Sequence, residues 1–147
     1  MIQFIPMDTN DIDRIMQFDQ ASLVQWPRQY YFKIAYSKNY YGILAQIENQ
    51  CIGNIMFRIH NRYLHIDKII VTKIYRNQGI GGKLLKTAID VGKIKKVEIA
   101  LLTVFYNNNA AMDFYAKHGF TIESIKWNHY HDGVHGVKMY RTLSQNI

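Results

Sequence analysis

The chain has 147 residues, 48% of them hydrophobic, and its eighteen Lys and Arg outweigh eleven Asp and Glu to give a formal charge of +7. This predicts one domain over residues 1–147, argues against a disordered or low-complexity chain, and provides a surface that draws anions. No apolar run is long enough to cross a bilayer, residues 1–6 lack the basic start and long apolar stretch of a signal peptide, and Cys51 has no disulfide partner, so a reducing, cytoplasmic setting is expected.

Residues 2–6 read as a short strand. Asp8 or Thr9 can cap a helix that places Ile12, Ile15 and Met16 on one face, with Asp11 and Asp13 in its first turn. A second helix begins near Pro27, since proline suits a first turn, and runs through Tyr31, Phe32 and Ala35. Residues 41–47, 51–60 and 63–71 form an antiparallel meander, broken at 48–50 and by a tight turn at Asn61-Arg62. After a helix over 79–91, residues 97–104 form a buried strand and 108–118 a helix stopped by Gly119. Strands over 120–131 and 134–143 are joined at Asp132-Gly133, a strong hairpin signal. The order is βααβββαβαββ, an α+β arrangement with a mixed, mostly antiparallel sheet flanked by helices.

The most informative stretch runs from Ile69 to Leu85, where an apolar run becomes a glycine turn and then an amphipathic helix. Gly79, Gly81 and Gly82 leave backbone N–H groups unshielded at the helix start, where orphan donors and the macrodipole favour a pyrophosphate. A Walker A loop is excluded because Gly82-Lys83 is followed by Leu84, which has no hydroxyl for magnesium. A dinucleotide fingerprint fails because position 84 is leucine and no early βαβ unit surrounds it. No metal site is read from the sequence.

Arg76-Asn77-Gln78-Gly79-Ile80-Gly81 fits Arg/Gln-x-x-Gly-x-Gly/Ala, and the chain resembles the GNAT superfamily of acyl-CoA-dependent N-acyltransferases from end to end. Asn108, Ala111, Tyr115, Gly119 and Phe120 are similar to the family's second signature, Asn-x-x-Ala-x-x-x-Tyr-x-x-x-Gly-Phe. The resemblance is greatest to the N-terminal peptide acetyltransferases, including the ribosomal-protein-alanine type. Residues 26–32, 115–120 and 126–130 carry it. It implies that the fourth and fifth strands splay apart at one end, with the acyl chain of acetyl-CoA in the gap.

The resemblance further implies that Ile69, Ile70 and Val71 contact the pantetheine arm of acetyl-CoA. Gln78, Gly79, Ile80, Gly81, Gly82 and Lys83 would surround the pyrophosphate, with Arg76 and Asn77 beside it. The Val71 N–H would polarise the thioester carbonyl, Asn108 would bond the pantetheine, and Tyr115 would protonate the departing thiolate. Thr103 stands where several relatives carry a glutamate or histidine, so their base is missing here. His65 lies where other members place a base or a substrate-contacting tyrosine. With a period of two, His65, Asp67 and Ile69 share one face, bringing an imidazole and a carboxylate within reach of the amine. Trp26, Tyr30 and Tyr130 would frame a peptide between two aromatic loops.

The implied acceptor is the α-amine of a peptide or protein N-terminus, with a small-molecule amine or a lysine side chain as alternatives. Monomer and homodimer are both open, and no membrane partner is expected. Lys93-Ile94-Lys95-Lys96 suits a nucleic acid as well as a solvated basic face, but no recognisable nucleic-acid module accompanies it. Other readings are a basic nucleic-acid adaptor or a non-catalytic acyl-CoA-binding module; retention of Tyr115 argues against the latter.

Overall fold

The computed structural model describes residues 1–20, 26–130 and 133–143. In chain order the first elements are β1 (Gln3–Pro6), α1 (Ile12–Gln20), α2 (Arg28–Tyr36), β2 (Tyr40–Ile47), β3 (Gln50–His60) and β4 (Tyr63–Val71). They are followed by α3 (Ile80–Ile94), β5 (Ile99–Phe105), α4 (Asn109–Lys117), β6 (Thr121–Lys126) and β7 (Gly136–Thr142). This is the expected βααβββαβαββ order, with short 3-10 turns at Thr9–Asp11 and Lys73–Tyr75. Asp8 closes a capping box before α1: it accepts the Asn10 N–H at 2.8 Å, while Asp11 accepts the Asp8 N–H at 2.9 Å. Among the described residues, no helix is long and apolar enough to cross a membrane.

The strands form one seven-stranded sheet in the order β1-β2-β3-β4-β5-β7-β6, with β4 and β5 parallel and the other neighbours antiparallel. Alternation along β3 shows how the two faces are filled. Ile55 and Phe57 join Leu84, Leu85, Ala88 and Ile89 of α3, while Met56 packs with Ile12 and Ile15 of α1 and Tyr31 and Ile34 of α2. Helices therefore cover both faces.

β4 departs from simple alternation at one residue. Its register with β3 runs Ile59↔Leu64, Arg58↔His65 and Phe57↔Ile66, then resumes at Met56↔Lys68, so Asp67 is an unpaired bulge residue. The bulge changes which side chains share a face. Leu64 and Ile66 belong to the α3-side core, and beyond the bulge it is Ile69 and Val71 that pack there. The expectation that His65, Asp67 and Ile69 share a face is thus corrected: His65 and Asp67 lie on the α2 side, and Ile69 lies on the other.

The same shift turns Lys68 into the α1–α2 side, where it is buried against Asp19 and also reaches the Tyr31 hydroxyl at 3.3 Å. Asn54 donates to the other Asp19 oxygen at 3.1 Å. Burial pulls the Lys68 ammonium below its usual range, and the adjoining carboxylate opposes that pull.

β4 and β5 pair only at Tyr63↔Ile99, Leu64↔Ala100 and His65↔Leu101. Beyond His65 the two strands diverge, which is the splay implied by the resemblance.

The last hairpin also differs from the sequence reading. β6 ends at Lys126 rather than near 131, and β7 begins at Gly136. The bridging chain is organised by its own groups: the Asn128 N–H donates to His135 Nδ1 at 2.9 Å, Trp127 packs edge-on against His135, and the Gly133 N–H donates to the Tyr130 carbonyl. Asp132, half of the expected turn, lies outside the described residues.

Replacing Lys68 by Met should remove a buried cation from beside the Asp19 carboxylate and lower unfolding free energy by about 3–5 kcal/mol in a denaturant titration. A loss below about 1 kcal/mol would show that the pair is not what secures this part of β4.

Candidate active site

A cleft of about 1020 Å³ opens on the α3–α4 side of the splay. Its floor contains Ile69 and Val71 of β4, one wall is the start of α3, and the other is Phe114, Tyr115 and His118 at α4. Main-chain direction at the floor follows from one hydrogen bond. The Thr72 N–H is directed to Ile52 of β3 at 2.8 Å, so strand alternation turns the Ile69 and Val71 N–H groups away from β3, toward the space that β5 has left. Arg76 Nε donates to the Val71 carbonyl at 2.9 Å and closes the loop that leads into α3.

The turn into α3 needs a left-handed residue. Gly79 has φ +81° and is the N-cap of α3; a Cβ there would meet open space, so backbone conformation rather than room selects glycine. Gly82 is different. A Cβ on it would come within 3.0 Å of the His118 ring, so glycine lets the helix start lie close to α4. The amides at this start are the orphan donors of a 15-residue helix and suit an anion.

The lining is strongly basic. Arg76, Lys83, Lys86, Lys93, Lys117 and Arg141 face the cleft against one acid, Asp90, which is bound to Lys86 at 2.9 Å. Such a field suits a ligand bearing several phosphates. Of the expected cofactor residues, Ile69, Val71, Arg76, Asn77, Gly79, Ile80, Gly81, Gly82, Lys83 and Tyr115 line the cleft, and Ile70, Gln78 and Asn108 do not. Ile70 turns its carbonyl toward Gly53 on β3, the Gln78 side chain donates to the Ile74 carbonyl, and Asn108 caps α4 by accepting the Ala111 N–H at 3.1 Å. Sequence reading missed Lys86, Lys93, Lys117, His118 and Arg141. The spacing of Lys83, Lys86, Asp90 and Lys93 by three, four and three residues marks one helix face and would have found part of the set. Arg141 has no such local signal; β7 brings it to the His118 carbonyl at 3.3 Å.

Tyr115 is 7% exposed at the inner end of α4, in contact with the core and the cleft. Burial raises its phenol well above the usual range, so it carries its proton across the neutral range.

The other side of the splay holds the remaining candidates. Tyr30 donates to Asp67 Oδ2 at 2.7 Å and stacks on Trp26 with ring centroids 4.4 Å apart. Arg58 Nε donates to Asp67 Oδ1 at 3.1 Å. Both carboxylate oxygens are thus engaged, and the Asp67 side chain is 8% exposed. Tyr130 belongs to a second cluster, with its ring 4.0 Å from that of Phe105 and 4.8 Å from His129.

His65 is half-buried between Arg58 on β3 and Leu101 on β5. Burial lowers its pKa, and the charges of Arg58, Lys138 and His60 lower it further, opposed by Asp67. At neutral pH the ring is an acceptor of protons.

The fold is that of the acyl-CoA-dependent N-acyltransferases. The chain belongs to the acetyltransferase (GNAT) family, whose model matches residues 11–120. It is 40% identical over 85 residues to streptothricin acetyltransferase A of Bacillus subtilis (strain 168), an alignment covering 57% of this chain and 49% of the relative; the chain thus spans about half the length of that protein. In fold it is similar to the ribosomal-protein-S18-alanine N-acetyltransferase of Escherichia coli, with a TM-score of 0.89 and 21% identity over 100% of this chain and 97% of that one. It is also similar to NAA60 of Arabidopsis thaliana in complex with acetyl-CoA, with a TM-score of 0.87 and 15% identity over 97% and 99% of the two chains.

The His65 ring should titrate below 6.5 in an NMR pH series, and Arg58→Met should move that titration upward by removing a neighbouring cation. A wild-type value at or above 6.5 would refute the electrostatic picture of this side.

Proposed function

We propose that the protein is an N-acetyltransferase that moves the acetyl group of acetyl-CoA directly to a primary amine, the α-amine of a protein or peptide N-terminus. The observation that carries this reading is the parting of β4 and β5 beyond His65, with a basic anion cleft on one face of the sheet and a proton-accepting imidazole on the other. Acetyl-CoA supplies the activated thioester. Its diphosphate suits the helix-start amides of Ile80, Gly81 and Gly82 and the surrounding lysines, Lys83 among them, and its pantetheine suits the outward amides of Ile69 and Val71. The Val71 N–H is the donor aimed at the carbonyl oxygen on which charge develops.

His65 takes a proton from the acceptor amine, directly or through water, as the C–N bond forms. Tyr115 gives its proton to the sulfur as the C–S bond breaks. Asp67 acts through the groups it holds, Tyr30 and Arg58, because both of its oxygens are occupied. Trp26 and Tyr30 form one wall for the acceptor, and Tyr130 with Phe105 forms the other.

Similarity to fold neighbours that act on protein N-termini, over nearly the whole chain, supports a peptide acceptor. A small-molecule amine is the second reading, supported by the 40% identity to streptothricin acetyltransferase A. Free-thiol release from acetyl-CoA, measured with a panel of peptides, polyamines and amino acids, separates them. Cofactor binding without thiol release for every acceptor would overturn the enzyme reading.

Tyr115→Phe should lower kcat by roughly 100-fold or more while leaving the KM for acetyl-CoA within about twofold, as expected for loss of a proton donor used in the transition state. Unchanged thiol release in this variant would remove Tyr115 from that role.

A further inference from the structure

The side of the splay that holds His65 has an uneven charge balance. The groups whose charges reach His65 are Arg58, Lys138 and His60 on the cationic side and Asp67 alone on the anionic side. Asp67 is enclosed by Tyr30 and Arg58, and Glu123, the acid nearest Lys138, is bound to it at 3.3 Å. No carboxylate is therefore left free among these groups to hold a second cation on the acceptor. Arg58 is the reverse case. Its Nε is taken by Asp67, its side chain is 45% exposed, and no other hydrogen bond is made by its guanidinium among the described residues. Among the described residues the four N–H donors on its two Nη atoms thus remain, on a side chain tethered to Asp67 through Nε.

The position of this fork limits what it can read. Arg58 is the direct cross-strand partner of His65, so their Cβ atoms are about 4.5–5.5 Å apart. An amine that hands its proton to His65 has the guanidinium within one side chain's length. A carboxylate located one or two residues from the amine matches that reach and pairs bidentately with the fork. A polycationic acceptor would meet Arg58 and Lys138, with Asp67 and Glu123 already engaged.

We propose that the acceptor carries a carboxylate close to its reacting amine and that Arg58 selects it. This inference rests on the peptide reading above, and it specifies a peptide with an acidic residue at its first or second position. The surrounding cations serve the reaction as well, because they favour the neutral form of a bound amine.

The test is thiol release from acetyl-CoA with three peptides that differ only at the second residue, Asp, Asn or Lys, using wild type, Arg58→Lys and Arg58→Met. Wild type should prefer the Asp peptide over the Lys peptide by at least tenfold in kcat/KM, with Asn between them. Arg58→Lys should keep the order with a smaller ratio, and Arg58→Met should bring the three within about twofold, while the KM for acetyl-CoA stays constant in all three proteins. A merely structural role for Arg58 would lower all three rates together and leave the ratio intact, which would overturn the proposal. Equal or better use of the Lys peptide by wild type would do the same. If no peptide is acetylated but small amines are, the peptide reading above falls. An amino acid compared with its amide then decides the carboxylate claim separately, because loss of preference in Arg58→Met supports it and indifference in wild type refutes it.

Discussion

The bulge at Asp67 is the constraint on which the site's layout depends. An unbroken period of two would put Lys68 on the same face as Leu64 and Ile66, inside the apolar layer beneath α3, where an ammonium has no partner. One unpaired residue reverses the alternation. Lys68 is then buried against Asp19 and Tyr31 on the α1–α2 side, and Ile69 and Val71 become the floor of the cleft. One strand thus presents His65 and Asp67 to one face of the sheet and its last apolar residues to the other. Because β5 leaves β4 after His65, the strands part close to where the switch occurs.

In the mechanism proposed above, burial divides proton chemistry between two residues. It raises the Tyr115 phenol and lowers the His65 imidazole, since each is driven toward its neutral form. A neutral phenol holds a proton to give and a neutral imidazole has a lone pair to receive one, so the same desolvation produces an acid and a base. The basic groups near His65 reinforce this division. The basic groups of the cleft are arranged along α3 and around the end of α4, so positive charge lies on both faces of the sheet.

Most of the fold was legible because its strands and helices are punctuated by residues with a local physical cause. Alternating apolar positions marked β2, β3 and β4 to within a residue or so, Asn61 marked the hairpin between the last two, and Gly79 and Gly119 marked the left-handed positions at the start of α3 and after α4. What was misread had causes beyond the local window. Asp132-Gly133 is a strong turn signal, but β6 stops earlier because Trp127, Asn128 and His135 interact with one another instead of continuing the ladder. The bulge did leave a trace, since Lys68 interrupts the apolar positions 64 and 66 just before three consecutive apolar residues. Its interpretation required knowing that Asp19, distant in sequence, was there to receive the ammonium.

The candidate site was legible where main-chain geometry does the work and much less so where side chains converge from distant strands. A glycine turn before an amphipathic helix predicts an anion cradle on its own, because its donors belong to consecutive residues. Arg58 has no comparable signature. It is one of eighteen cationic side chains, and only the pairing of β3 with β4 sets it opposite His65 and within reach of Asp67, which accepts from its Nε. In the reading proposed above, acceptor choice is thus a matter of strand register, whereas the cofactor turn is a matter of local sequence. The same architecture is found in solved structures at 21% and 15% identity, so the fold itself does not require a particular set of cross-strand partners.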